Sequence, residues 1–586
     1  MKCKNIFDTW VLTDGMGRST PNYKETGPVN GREVGLFYFL WHDHKKGLIY
    51  DHYKTYLEGG INAVREEMQQ GPLGYAHYWA EPYFGYYQST DEWIIRKHCY
   101  MLSAAGVDFI FFDTSNGHYF EKGSPKIFEV FSKMKEEGVP VPKIVYFNGD
   151  NPDLNLKTIM GEYELIYSKG LYKDLWYLVD GKPLMLCNPE KITDEKVKEF
   201  FTIRKSWAFS EWDWYSEREG KNCWPWIDFY PQGPGLSPEG EVEQVIVSCG
   251  FHANGSTGRS YHNGKQPDEG RRDFGFGMTN TISPHGLAFE EQFKGAMEIG
   301  APRMMITGWN EWWAGRWDSI DAQDQLICKT YIVDHYSSDG AIRNYYVDNL
   351  SPEYSRDIEP MKGGFKDNYY CQMVEYNRKY KGTNPIPVSS GKKTIDLSAG
   401  LSQWDDVGPE YLDFIYDTAH RDYDSFGGSV HYENNTGRND IEMAKVSRDN
   451  EYVYFLVKTM DVLTKPEGSN WMNLFINVEP NWRNGWEGYT ILVNRFRNDD
   501  CTKASIEETV SGWNWVKMGE ADIVTGKNFI MLKMPLSFLK MKDPENNISF
   551  EFKWADNSVI GGEIMDFYDK GDAAPDGRFN FRYCEK

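Results

Sequence analysis

Between residues 30 and 310 short, uninterrupted apolar runs alternate with segments of helical periodicity. The runs are Val34–Trp41, Tyr75–Trp79, Val107–Phe112, Lys143–Phe147, Pro183–Cys187, Trp226–Tyr230, Gln244–Cys249 and Arg303–Trp309. Helical segments at 91–105, 123–137, 154–168, 192–202 and 287–299 separate most of them. Asp91 is placed to cap the first of these helices and Gly106 to stop it. A strand covered on both faces is apolar throughout, so the alternation predicts a parallel sheet wrapped by helices. Eight such runs predict a (β/α)8 TIM barrel. No Gly-rich phosphate turn follows the first run, which argues against a doubly wound open sheet.

After Trp317 the pattern is mixed, with one further helix expected over Asp367–Lys381. A Pro/Ser/Gly-rich stretch at 382–391 reads as a linker. From 392 onward short alternating strands such as Glu451–Val457, Trp471–Asn477 and Ile548–Phe552 predict an antiparallel β-sandwich. The expected organisation is an extension over 1–30 packed on the barrel, a barrel over 31–381, the linker, and a sandwich over 392–586.

A barrel carries its chemistry at the C-terminal ends of its strands. The polar groups at those ends are His42, Asp43, His44, His77, Glu81, Asp113, Asn148, Asp228, His252, Asn310 and Glu311. The net charge of −23 repels nucleic acid and anionic membrane surfaces and suits a neutral ligand. Aromatic residues make up 16% of the chain, including 21 Trp, which predicts either flat apolar faces on a binding surface or large aromatic cores. The nine cysteines show neither a C-x-x-C pair nor a Cys/His spacing for zinc. No run of about 18 apolar residues could span a membrane. Met1–Phe7 lacks the apolar core of a signal peptide, so the expectation is a cytoplasmic protein, or a secreted one whose signal has been removed.

The densest signal is Thr307-Gly308-Trp309-Asn310-Glu311-Trp312-Trp313-Ala314-Gly315. A carboxylate among indole rings at a strand end suits a sugar-cleaving site, because indoles stack on pyranose C–H faces while the carboxyl moves protons. This stretch resembles the last-strand motif of glycoside hydrolase families 71 and 99, (β/α)8 enzymes acting on α-linked glycans. Ala105–Asp113, Asp180-Gly181-Lys182-Pro183-Leu184 and Glu290-Glu291-Gln292-Phe293 resemble further pieces of the same families in the same order. The region from Thr394 is similar to carbohydrate-binding module family 9, through Thr394–Leu397, Ser402–Trp404, Gly437–Asp440 and Gly485–Tyr489. That likeness implies a sugar-binding or purely structural companion, in which calcium is possible; no other cofactor is expected.

In the endo-α-mannosidase branch both acting carboxylates come from a Glu-Trp-x-Glu stretch. Glu311 matches the first, and Ala314 stands where the second would be. The resemblance therefore implies half of a pair. Asp113 is the first choice for the missing carboxyl, followed by Glu81, Asp228 and Asp318. Expected substrate contacts are Trp41, His42, His44, His77, Trp79, Asn148, Asp228, His252, Trp309, Asn310, Trp312 and Trp313. The histidines are read as partners of sugar hydroxyls or of one another rather than as metal ligands. The expected partner is an oligo- or polysaccharide. The alternative is a non-catalytic glycan-binding protein on a degenerate barrel.

Overall fold

The computed structural model describes residues 7–42, 47–250, 257–271, 273–317, 331–336, 342–478, 484–541 and 548–585. Seven parallel strands form the first sheet: β1 (Glu33–Tyr38), β2 (Phe109–Asp113), β3 (Lys143–Gly149), β4 (Lys182–Cys187), β5 (Thr202–Arg204), β6 (Val242–Ser248) and β7 (Arg303–Thr307). Each pairs with the next except β5 and β6, and β7 returns to β1, with Met305 opposite Gly35. The remaining gap is filled by the irregular segment 223–227, which bridges in parallel to Lys205 and Ala208. Gln244 Nε2 donates to Pro225 O at 3.0 Å, and the Thr307 hydroxyl donates to Trp226 O. Eight staves thus close the barrel.

Side chains alternate along each stave. Phe37, Phe39, Phe109, Phe111, Val145, Phe147, Leu184, Leu186, Ile246 and Met305 fill the interior together with Trp226. Their neighbours Leu36, Tyr38, Ile110, Phe112, Ile144 and Tyr146 pack outward against the helices. A Cβ at Gly35 would stand 2.3 Å from the Phe109 ring, so glycine is what lets that ring into the interior. The outer layer includes α1 (Glu92–Ala104), α2 (Gly123–Glu137), α3 (Pro152–Glu162), α4 (Leu287–Ile299) and α5 (Asn368–Lys381). Asp91 caps α1 as expected, accepting from Trp93 N at 3.1 Å.

One expected stave is misplaced. Ala76–Tyr78 joins a separate sheet, parallel to Tyr50–Asp51 and antiparallel to Trp313–Trp317. That sheet continues through Ile342–Val347 to Tyr331–Tyr336. It is built from excursions that follow β1 and β7, so it stands at the mouth end of the barrel. The stave that takes the vacant place is β5, whose three residues Thr-Ile-Arg are too short and too polar to read as a buried strand.

Residues 382–391 have no regular structure and lead into a sheet of eleven antiparallel strands among the described residues. The two faces expected of a sandwich belong to this one sheet. It curls until Ile441 N donates to Asp572 Oδ2 at 2.6 Å. Trp471 and Trp486 are buried in its core, and Trp486 meets Trp513 at 4.5 Å; Trp482 lies outside the described residues. The sheet docks firmly on the barrel. Buried Arg578 and Asp367 pair at 2.6 Å, Tyr568 OH donates to Asp367 at 2.9 Å, and Arg421, from a separate strand pair Arg421–Asp424 and His431–Asn434, reaches the helix cap Asp91 at 2.8 Å. Trp10, near the N-terminus, lies against Phe414 and Phe579 of the C-terminal region, while Arg378 of α5 donates to Trp10 O.

Removing one partner of a buried ion pair leaves an uncompensated charge and costs about 3–5 kcal/mol. Arg578→Met should lower the unfolding free energy by that amount. Calorimetry should still show barrel and sheet melting in one transition; an early melt of the C-terminal sheet alone would contradict the docking described here.

Candidate active site

Beyond β7 the chain runs through Gly308–Trp312 without regular structure, and the Glu311 amide and carbonyl are both held. Asn310 fastens the end of β7 to the end of β1: its Oδ1 accepts from Phe39 N at 2.8 Å and its Nδ2 donates to Phe39 O at 3.2 Å. His42 Nε2 donates to Asn310 O at 2.8 Å. Glu311 N donates to Asp357 Oδ1 at 2.6 Å, and Glu311 O accepts from Trp79 Nε1 at 3.1 Å and Asn349 Nδ2 at 3.0 Å. Trp312 Nε1 donates to Glu359, which also receives Tyr87 OH at 2.7 Å and faces His98 Nε2 at 3.0 Å.

Three of these partners, Asn349, Asp357 and Glu359, come from a buried strap over residues 349–361, which runs along the motif; Gly308 N donates to Arg356 O at 2.8 Å and Glu359 N to Trp309 O at 3.0 Å. A buried segment without regular structure must satisfy its polar groups from side chains and neighbours. The strap does so: Glu353, for example, accepts from Ser260, Gln266 and Ser283.

The strap also brings the cation. Arg356 Nη2 lies 2.6 Å from Glu311 Oε2, and its Nη1 lies 3.1 Å from Asp348 Oδ1. The guanidinium stands 5.0 Å above the Trp226 ring inside the mouth. Asp113 follows Phe109 and Phe111 in the inward set of β2, so it faces the same space. Its Oδ1 accepts from Ser115 N at 3.0 Å, which is the turn-capping role expected of an aspartate there.

Burial raises the Asp113 carboxyl to about 6, against the hydrogen bonds from Ser115 and the charge of Arg356. Burial also pushes Glu311 well above the usual carboxylate range; Arg356 opposes this, while Asp348, Asp357 and Asp113 add to it. Asp357 is held at about 6 by burial, with Arg259 opposing. Two carboxyls whose surroundings separate their titrations can divide acid and base roles at neutral pH. Glu311 is 2% exposed and Asp113 7%.

The other expected site residues divide by strand parity. Trp41 shares the inward set of Phe37 and Phe39, stacking on Phe39 at 5.2 Å and standing 5.3 Å from Trp313. His42, one position on, turns outward; burial lowers it to about 4, so it is neutral and structural. Asn148 is likewise outward, donating to Glu162 at 3.0 Å in the helix layer. Asp228 caps a turn, accepting from Ser210 Oγ at 2.5 Å and Gly233 N at 2.8 Å.

His77 lies between His52 Nε2 at 3.1 Å and Gln70 O at 3.2 Å, stacked on Tyr50. Glu81 pairs with Lys362 at 2.9 Å in a groove beside Tyr432 and Asp569, apart from the Arg356 group. Trp79, Trp309 and Trp312 are fully buried, with Trp79 and Trp312 stacked at 4.5 Å, so they offer no face to a sugar. Trp313 keeps a narrow exposed edge. Ala314 is buried in register with His77. Asp43, His44, His252 and Asp318 lie outside the described residues.

Arg356, Asp348, Asp357 and Trp226 complete the group and were not anticipated. A trace of them is visible in Ser351–Glu359, where charged residues alternate with Tyr and Ile in a run that matches no helical or strand period.

No protein-family model and no curated protein sequence matches this chain. Among solved structures it is similar to a glycoside hydrolase family 99 endo-α-mannosidase from Bacteroides thetaiotaomicron, at 14% identity and a TM-score of 0.33, over 61% of this chain and 100% of that one. A second structure of that enzyme, in complex with bis-tris propane, gives 14% identity and 0.33 over 60% and 98%. A glycoside hydrolase-like protein gives 11% identity and 0.31 over 63% and 98%.

Arg356→Met should destabilise the chain by about 3–5 kcal/mol, because Glu311 and Asp348 lose their buried cation. It should also move the Asp113 titration above its starting value near 6. Denaturant unfolding and carboxyl NMR check both; a variant as stable as the parent would contradict the role of Arg356.

Proposed function

We propose that this chain hydrolyses glycosidic bonds of glycans at the barrel mouth, with Glu311 as proton donor and Asp113 as the opposing carboxylate. The observation that carries the reading is the buried Arg356–Glu311 pair above the Trp226 ring, with Asp113 in the inward set of β2 and within the field of the same arginine. Glycoside cleavage needs one carboxyl to protonate the leaving oxygen and a second, ionised, to attack the anomeric carbon or activate water. Burial pushes the Glu311 carboxyl well above the usual carboxylate range, which favours its use as the proton donor. Asp113, titrating near 6, is ionised above that pH. Trp41, Trp226 and Trp313 supply apolar walls of the kind pyranose rings stack against. The resemblance of the Asn310-Glu311-Trp312 stretch favours an α-linkage, and the acidic surface favours a neutral glycan.

A second reading is a glycan-binding protein without turnover. Ala314 and the close burial of Glu311 against Arg356 favour it.

Panels of α-mannan, α-glucan and aryl α-glycosides separate the two. Glu311→Gln and Asp113→Asn should each reduce turnover by about 10²–10⁴-fold, the range for loss of a positioned acid or base. Asp113 must be ionised to act, so kcat/KM should rise as pH increases through about 6 and then level off. Sugar binding by calorimetry with no cleavage of any substrate would assign the chain to the second reading.

A further inference from the structure

The curled C-terminal sheet holds a second group of carboxyls, far from the Arg356 group in sequence and on different elements. Asp413, Asp417, Asp422 and Asp424 form an acidic run in the sequence, of the kind that is either a solvated loop or a calcium chelator. It splits in the folded chain. Asp422 and Asp424 clamp the exposed His431 at 2.8 Å each. Asp413 and Asp417 turn inward and meet Asp572 from the other edge of the sheet. One oxygen from each of the three lies within 4.8 Å of the others.

Those oxygens are not used by the protein. Asp417 is 4% exposed and Asp572 3%, and the Oδ1 of each is buried with no hydrogen-bond partner. Neither oxygen of Asp413 has a partner, and Asp440 Oδ1 alongside is also unpaired. The second oxygens of Asp572 and Asp440 are committed, accepting from Ile441 N at 2.6 Å and Tyr416 N at 2.8 Å, which fixes how the free ones point.

Asp576 also adds its charge to the group. Five carboxyls are thus set against two nearby ammoniums, Lys97 of α1 and Lys553. Lys553 donates to Pro575 O, and burial lowers it to about 7 against the pull of Asp413, Asp576 and Asp572. Two lysines cannot balance five carboxylates, and a buried charge without compensation is costly.

We propose that Asp413, Asp417 and Asp572 bind a divalent hard cation, with calcium the ion of best fit. An all-oxygen donor set without nitrogen or sulfur excludes a zinc-type preference and suits calcium or magnesium. Calcium accepts flexible oxygen ligands at about 2.3–2.6 Å, so ligands on opposite sides of the ion can stand about 4.8 Å apart; magnesium demands a tighter, near-regular octahedron. The site lies where the C-terminal sheet meets α1, since Tyr100 OH of that helix donates to Ile415 O, between Asp413 and Asp417, at 3.3 Å. An ion there holds the 411–417 segment to the 572–576 segment and seats both on the barrel.

The test uses the full chain after chelator treatment, titrated with calcium, with magnesium and with terbium as a luminescent calcium substitute. Calcium should bind one ion per chain and raise the melting temperature, and magnesium should bind at least about tenfold more weakly. Asp417→Asn and Asp572→Asn should each weaken calcium binding by about tenfold or more, as expected when one charged ligand is lost. Asp413→Asn, at the most accessible of the three positions, gives the same reading should a buried variant fail to fold. No calcium heat and no change in melting temperature for the parent would overturn the proposal. So would calcium binding that survives unchanged in all three variants.

Discussion

The structure around the mouth depends on one constraint: a glutamate buried beside other carboxyls is costly unless a cation meets it. Desolvating one such ion costs several kcal/mol even after relaxation. The strap over 349–361 answers that cost. Arg356 faces the carboxyl of Glu311, Asp357 takes its amide, and Asn349 joins Trp79 on its carbonyl. Asn310 then ties the motif to β1, so the last stave and the first close at the same place where the charge is held. Barrel closure and the candidate site therefore share the same residues.

The same charges set the chemistry. Arg356 is shared between Glu311 and Asp348 and acts at longer range on Asp113. It weakens, without cancelling, the upward push that burial gives to both carboxyls. A site of this kind keeps protons available near neutrality, which an exposed pair would not do. The C-terminal sheet contributes from outside. Phe426 rests 6.0 Å from Trp313 and 5.7 Å from Tyr78, so the sheet that stands at the mouth is backed by the second half of the chain.

The barrel was legible because continuous apolar staves and helix signals recur in order, and the α4 helix ran over 287–299 as its pattern implied. Asp113 was legible by parity, two residues beyond Phe111. The same parity, applied to β1 and β3, separates inward Trp41 from outward His42, and inward Phe147 from outward Asn148. Taking all polar residues at a strand end as one group hides that distinction. Tyr75–Trp79 misled because a short apolar run reads alike in a stave and in a side sheet. The strap was not legible at all: Arg356 is 45 residues beyond Glu311, in a segment with no periodicity, and only the folded chain brings them together.

The central claim is that Glu311 and Asp113 act as a pair on a glycan held at this mouth. Chemical rescue tests it most directly. Asp113→Ala leaves space at the opposing carboxylate, and a small anion such as azide can take its place. The account predicts that azide restores cleavage of an activated aryl α-glycoside in Asp113→Ala while leaving the parent unchanged. Cleavage by Asp113→Ala at the parent rate without azide would contradict it.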